Sequence, residues 1–103
     1  MAALHITSEN FEEEVLQSSQ PVLVDFWAEW CGPCRMMLPV VEELAGELKN
    51  AKVCKINVDE QPQLAAKYRV MTIPTLMVVK DGKVMSTSVG VKSKAAVLKM
   101  LDA

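Results

Sequence analysis

No stretch of this sequence stays apolar for the ~18 residues needed to cross a bilayer, so no transmembrane helix is expected. Basic residues are not in excess either. The 11 Lys and Arg face 13 Asp and Glu, for a formal net charge of −2. That balance leaves no basic footprint for nucleic acid and no cationic face for a membrane surface. Cysteine is sparse and odd in number, at three, where a secreted disulfide scaffold carries a larger even set. There is no G-x-G-x-x-G and no P-loop, so no cofactor is expected. Repeats, linkers and low-complexity stretches are missing as well. No basic stretch leading into an apolar run precedes Thr7, Ser8, Glu9 and Asn10, so no signal peptide is expected, and the reading is cytoplasmic.

Apolar residues make up 50% of the 103 positions, enough for a core, and the length suits one domain over residues 1–103. Leu4 to Ile6 reads as a weak first strand. Phe11, Val15 and Leu16 mark one face of a short helix, with Asn10 and Glu13 as a capping pair. Val22 to Trp27 is nearly all apolar, the pattern of a strand covered on both faces. From Cys31, the residues Met36, Met37, Val40, Val41, Leu44 and Leu48 recur at helical spacing, and Pro39 should kink that helix. Val53 to Val58 alternates as a strand, with Cys54, Ile56 and Val58 on one face. A short helix follows over Pro62 to Tyr68. Thr75 to Val79 and Lys83 to Val89 form a hairpin about Asp81–Gly82. Ser93 caps a last helix whose Val97, Leu98 and Leu101 point inward. The order β-α-β-α-β-α-β-β-α predicts an α/β fold, a central mixed sheet with helices on both faces.

The chemistry sits in Trp30–Cys31–Gly32–Pro33–Cys34, after a buried strand and at a helix start. Residues three apart there lie roughly 5–6 Å from each other, which suits a disulfide. Cys31, at the helix mouth, faces free backbone N–H groups and the positive end of the helix dipole, which stabilise a thiolate. The thiolate is the attacking species in disulfide exchange. Cys34, one turn in, should be more buried. Pro33 is tolerated because first-turn N–H groups lack helical partners.

With these residues in place, the sequence resembles the thioredoxin family over essentially its whole length. The matching segments are Val24–Asp25–Phe26–Trp27–Ala28, Trp30–Cys31–Gly32–Pro33–Cys34, Lys55–Ile56–Asn57–Val58–Asp59, Ile73–Pro74–Thr75 and Asp81–Gly82. C-x-x-C alone is weak; with both tryptophans, Gly32–Pro33 and the distant Ile73–Pro74–Thr75 it is specific. The resemblance implies the thioredoxin fold and a thiol–disulfide oxidoreductase that reduces protein disulfides. In that reading Cys31 attacks a client disulfide and Cys34 resolves the mixed disulfide. Asp25, buried behind Cys34 with its pKa raised by desolvation, handles the Cys34 proton. Lys55 tunes Asp25 by charge, and Gly32 and Pro33 set the redox poise. Pro74 is implied to be cis and, with Trp30, Ile73, Val89, Gly90 and Val91, to line a shallow apolar groove for an extended client segment. The implied partners are a thioredoxin reductase and disulfide-containing clients, with the protein acting as a monomer.

Gly32–Pro33 supplies no cation between the cysteines of the kind that would favour an oxidant, so electron donation is expected. Thioredoxins can also serve as structural subunits, a role in which the cysteine pair would be dispensable. A zinc site from Cys31, Cys34, Cys54 and His5 fits by count but not by spacing. Cys54 reads as a small buried hydrophobe, His5 as a surface residue and Trp27 as mainly packing. The methionines at helical spacing read as core filler, and Met71 borders the groove. Thr72, Arg35 and Val79 depart from the common family pattern of Gly, Lys and Phe.

Overall fold

The run Val22–Trp27 forms the central strand, β2, and it is central because nearly every residue in it can be buried. Val22, Leu23, Val24, Asp25 and Phe26 are out of solvent on both faces of the sheet. The computed structural model describes residues 3–102; Met1, Ala2 and Ala103, and so both bounds of the expected domain, lie outside the described residues. On one side β2 pairs in parallel with β3 (Lys52–Asn57), which in turn pairs in parallel with the two-residue β1 (Leu4–His5). On the other side β2 pairs antiparallel with β4 (Thr75–Lys80), and β4 pairs antiparallel with β5 (Lys83–Val89). The strand order is β1-β3-β2-β4-β5, the expected mixed sheet.

Strand alternation sends side chains to two separate cores. Val22, Val24, Phe26, Cys54, Ile56, Met77 and Val79 meet Phe11, Val15 and Leu64 on one face. Leu23, Val53, Leu76 and Val78 meet Met37, Val41, Leu44 and Val97 on the other. The second face is covered by α1 (Gly32–Glu47) and α3 (Lys94–Asp102). The first is covered by α2 (Pro62–Lys67) and a helical turn over Glu12–Leu16. Each fully buried Met, Val or Leu contributes roughly 1.5–3 kcal/mol of transfer free energy, so the long apolar stripe of α1 is what fixes it to the sheet.

The Glu12–Leu16 turn is wider than an α-helix: the Gln17 N–H donates to the Glu12 carbonyl at 2.9 Å, five residues back. The expected Asn10–Glu13 cap does not form. Asn10 instead braces the loop before the turn, its Oδ1 accepting the Thr7 N–H at 2.8 Å and its Nδ2 donating to the His5 carbonyl at 3.2 Å. The turn has no side-chain cap at Phe11, and burial of Phe11 and Val15 holds it in place. Helix α1 continues across Pro39, whose missing N–H leaves the Arg35 carbonyl without its usual helical donor. Asp81 (φ 52°) and Gly82 (φ 77°) take the two left-handed positions of a two-residue hairpin turn. Ser93 does cap α3: its hydroxyl accepts the Ala96 N–H at 3.2 Å. No helix among the described residues is long and apolar enough to cross a membrane.

Candidate active site

Three pieces of chain converge at the C-terminal end of β2. One is the loop from Ala28 into the first turn of α1, and another is the segment before β4. The third is the turn after β5.

Cys31 is the N-cap residue of α1, in an extended conformation (φ −88°, ψ 110°), so the helix begins directly under its sulfur. The Cys34 backbone N–H donates to Cys31 Sγ at 3.1 Å. This is the geometry of an ordinary N-cap with sulfur in the place of oxygen. An N–H and the helix dipole both point at an atom that benefits from negative charge. Cys31 and Cys34 are joined as a disulfide, with Cα atoms 5.2 Å apart. Gly32 and Pro33 occupy the first helical positions, where no intrahelical N–H bond is lost. The sequence predicts Cys34 to be the more buried of the two cysteines; the difference is small, with Cys31 4% and Cys34 3% exposed. The bonded sulfurs cover one another, and Ala28, Trp27, Val58 and Ile73 pack around them.

The Ile73–Pro74 peptide is cis, as the resemblance implied. The Ile73 carbonyl oxygen lies 3.7 Å from Cys31 Sγ. The Pro74 carbonyl accepts the Gly90 N–H at 2.8 Å, which ties the β5 turn to the same place. Gly90 needs to be glycine there, because its φ of 96° is a region that L side chains rarely enter. Val89, beside Thr75 in the β4–β5 ladder, and Val91 are both exposed apolar residues. Trp30 is 68% exposed, and its indole N–H donates to Asp59 Oδ2 at 2.8 Å. Ile73 thus lies against Cys31, Gly90 is bonded to the adjoining Pro74, and Trp30 is next to Cys31 in the chain. Met71 is almost fully exposed, two residues before Ile73.

On β2, Asp25 is wholly buried, and among the described residues neither of its carboxyl oxygens has a hydrogen-bond partner. Burial pushes its pKa from an ordinary 3.8 up to about 7; the Lys55 charge opposes that rise and the Glu42 charge adds to it. Lys55 is the register partner of Asp25 on β3, but its ammonium bonds Glu42 Oε2 at 3.1 Å and lies 5.7 Å from the centre of the Trp27 ring. It therefore acts on Asp25 through space rather than by contact. A hollow of about 220 Å³ opens beside Cys34, lined by Trp27, Ala28, Glu29, Arg35 and Leu38. Arg35 closes one wall by donating to the Glu29 carbonyl at 2.6 Å.

Among the described residues no group of three or more His, Cys, Asp and Glu side chains is placed to hold a metal. His5 lies 3.5 Å from Glu60, and Cys54 is fully buried in the core on the other face of the sheet, its thiol pushed up to about 12, chiefly by burial. Sequence reasoning missed Glu42 and Asp59. Glu42 is one position beyond the buried Val41 stripe, a flanking place that reads as solvated. Asp59 could be found only by knowing that the end of β3 lies beside Trp30.

The thioredoxin family model matches residues 2–103. The chain belongs to the thioredoxin family. It is 50% identical to the thioredoxin of Pseudomonas aeruginosa over 101 residues, 97% of this chain and 94% of that one. It is 46% identical to the thioredoxin of Rickettsia bellii, again over 101 residues, 97% and 96% of the two chains. Among solved structures, a mutant thioredoxin from Halobacterium salinarum superposes with a TM-score of 0.89 at 38% identity, covering 98% of this chain and 88% of that one. The activity is that of a thioredoxin: a protein-disulfide reductase working by dithiol–disulfide exchange at the Cys31–Cys34 pair. Thioredoxins act on disulfide substrates and are in general recharged by thioredoxin reductase.

Proposed function

We propose that Cys31 is the attacking nucleophile and Cys34 the resolving thiol of a reductant that works on extended segments of client proteins. The observation that carries this is the Cys34 N–H donating to Cys31 Sγ at 3.1 Å at the mouth of α1. In the reduced protein the same donor favours a thiolate at Cys31 over one at Cys34. The Cys31 thiolate attacks one sulfur of the client disulfide; a new S–S bond forms and the other client sulfur leaves as a thiolate. Cys34 then loses its proton to the Asp25 carboxylate and attacks Cys31 Sγ. The Cys31–Cys34 bond forms and the client's second thiolate is released. The client gains two electrons and this protein loses two.

Asp25 suits the proton step because a pKa of about 7 lets it both take up and give back a proton near neutral pH. Lys55 tunes it by charge. Trp30, Ile73, Pro74, Val89, Gly90 and Val91 form the client groove, and Gly32 and Pro33, which bring no cation between the sulfurs, keep the couple reducing. A thioredoxin reductase returns the two electrons. The unit that does this is one domain over residues 1–103, acting as a monomer in the cytoplasm.

The test is insulin disulfide reduction driven by dithiothreitol. Wild type should accelerate it and Cys31→Ser should not; equal rates would end the proposal. Cys34→Ser should accumulate mixed disulfides with clients in a trapping experiment.

A further inference from the structure

Glu42 has no part in the reading above, yet its two oxygens are both engaged. Oε2 takes the Lys55 ammonium at 3.1 Å and Oε1 accepts the Ala3 N–H at 2.7 Å. The ion pair is partly sheltered, with the Lys55 and Glu42 side chains 21% and 30% exposed. An anion in the second half of α1 thus joins the start of the chain to β3.

Lys55 has two anions to choose between. Asp25 is its register partner on β2, and Glu42 reaches it from α1. The ammonium is bonded to Glu42, and the Asp25 oxygens accept no hydrogen bond among the described residues. Three elements flank the Asp25 carboxyl. Lys55 comes from β3, Glu42 comes from α1, and the register partner on β4 is the apolar Leu76. A direct Lys55–Asp25 bond would hold the carboxyl ionised and make it a poor proton acceptor. The side chain that competes for the cation is Glu42.

We propose that Glu42 is a positioning residue for proton transfer at Asp25: it holds the Lys55 ammonium in an ion pair and so keeps that cation off the carboxyl, leaving Asp25 free to take the Cys34 proton. The inference rests on the reading of Asp25 as the acceptor of that proton. Removing the charge of Glu42 acts twice in the same direction. It frees Lys55 to approach Asp25, and it deletes an anion that favours the protonated acid.

The experiment follows the Asp25 carboxyl carbon by NMR through a pH titration of the oxidised protein. In Glu42→Gln the titration should fall by roughly 0.5–1 pH unit, a three- to tenfold shift in protonation. The acid limb of the client-reduction rate should fall with it. Glu42→Asp, which keeps the charge, should titrate closer to wild type than Glu42→Gln. In a Lys55→Met background the Glu42→Gln shift should shrink, because only the direct repulsion is left. An equal shift there would overturn the role through Lys55. A merely structural Glu42 would lower the melting temperature and leave the Asp25 titration where it is, and that result would overturn the proposal outright. If Asp25→Asn kept the wild-type pH profile while the NMR titration still moved in Glu42→Gln, the failure would lie in the proton-acceptor reading and not in the ion pair.

Discussion

Asp25 is a wholly buried acid whose oxygens have no hydrogen-bond partner among the described residues, and that has a thermodynamic signature. Its folded pKa of about 7 lies above the ordinary 3.8, so between those values the native state holds a proton that the unfolded chain releases. The stabilising contribution is complete at low pH and is lost as the pH rises towards 7. Above that, burying the ionised carboxylate costs on the order of 4 kcal/mol. Asp25→Asn should therefore be more stable than wild type by a few kcal/mol in urea melts at pH 8. The gain should vanish near pH 4. Catalysis should move the other way: Asp25→Asn slows client reduction at neutral pH and flattens the pH–rate profile. Cys54 shows the same physics in a thiol. Burial raises its pKa to about 12, so iodoacetamide at pH 8 should leave it unlabelled in the native oxidised protein and label it after unfolding, as read by mass spectrometry.

Among the elements, the hairpin turn and the α3 cap depend on single residues. Gly82 has φ 77°, and a Cβ added there would sit 3.2 Å from the Leu16 carbonyl. Gly82→Ala should cost about 1 kcal/mol or more in denaturant melts. Ser93→Ala removes the hydroxyl that accepts the Ala96 N–H and should cost roughly 0.5–2 kcal/mol, read the same way. Both features were legible in the sequence because their signals are local: Asp–Gly between two strands, and serine ahead of an apolar stripe. Buried β2 was legible for the same reason, as an unbroken apolar run. The Glu12–Leu16 turn was not. Its wide geometry is imposed by packing Phe11 and Val15 onto the sheet, and the cap suggested by Asn10 and Glu13 lost to loop-bracing bonds at Thr7 and His5. In the site, the cysteines and Asp25 could be named because the motif is contiguous or family-specific. The Glu42–Lys55 pair and the Asp59–Trp30 bond span 13 and 29 residues, and no period in the sequence encodes them.

Taken whole, the molecule is two apolar cores sharing one sheet. Leu23 and Val24, adjacent in β2, belong to opposite cores, so neither core can loosen without disturbing the strand that both use. Phe26→Ala on one side should cost roughly 3–5 kcal/mol and Leu44→Ala on the other roughly 2–5 kcal/mol. Each should keep a single cooperative transition, with near- and far-ultraviolet circular dichroism melting together. Two separate transitions would mean that the faces unfold independently. Ion pairs on the outside, such as Lys94 with Glu43 and Glu47, join α3 to α1 but stay solvated, and Lys94→Ala should leave the melting curve almost where it is.

The sheet also works as a partition between thiols. Cys34 lies in the first turn of the helix that covers one face, whereas Cys54 is sealed among Ile6, Phe11, Val15 and Ile56 on the other. A chain with three cysteines could close three different rings, yet only one is within reach while the strands stay paired. Each turn of the redox cycle therefore returns to the same cross-link, without a proofreading enzyme to sort the pairings.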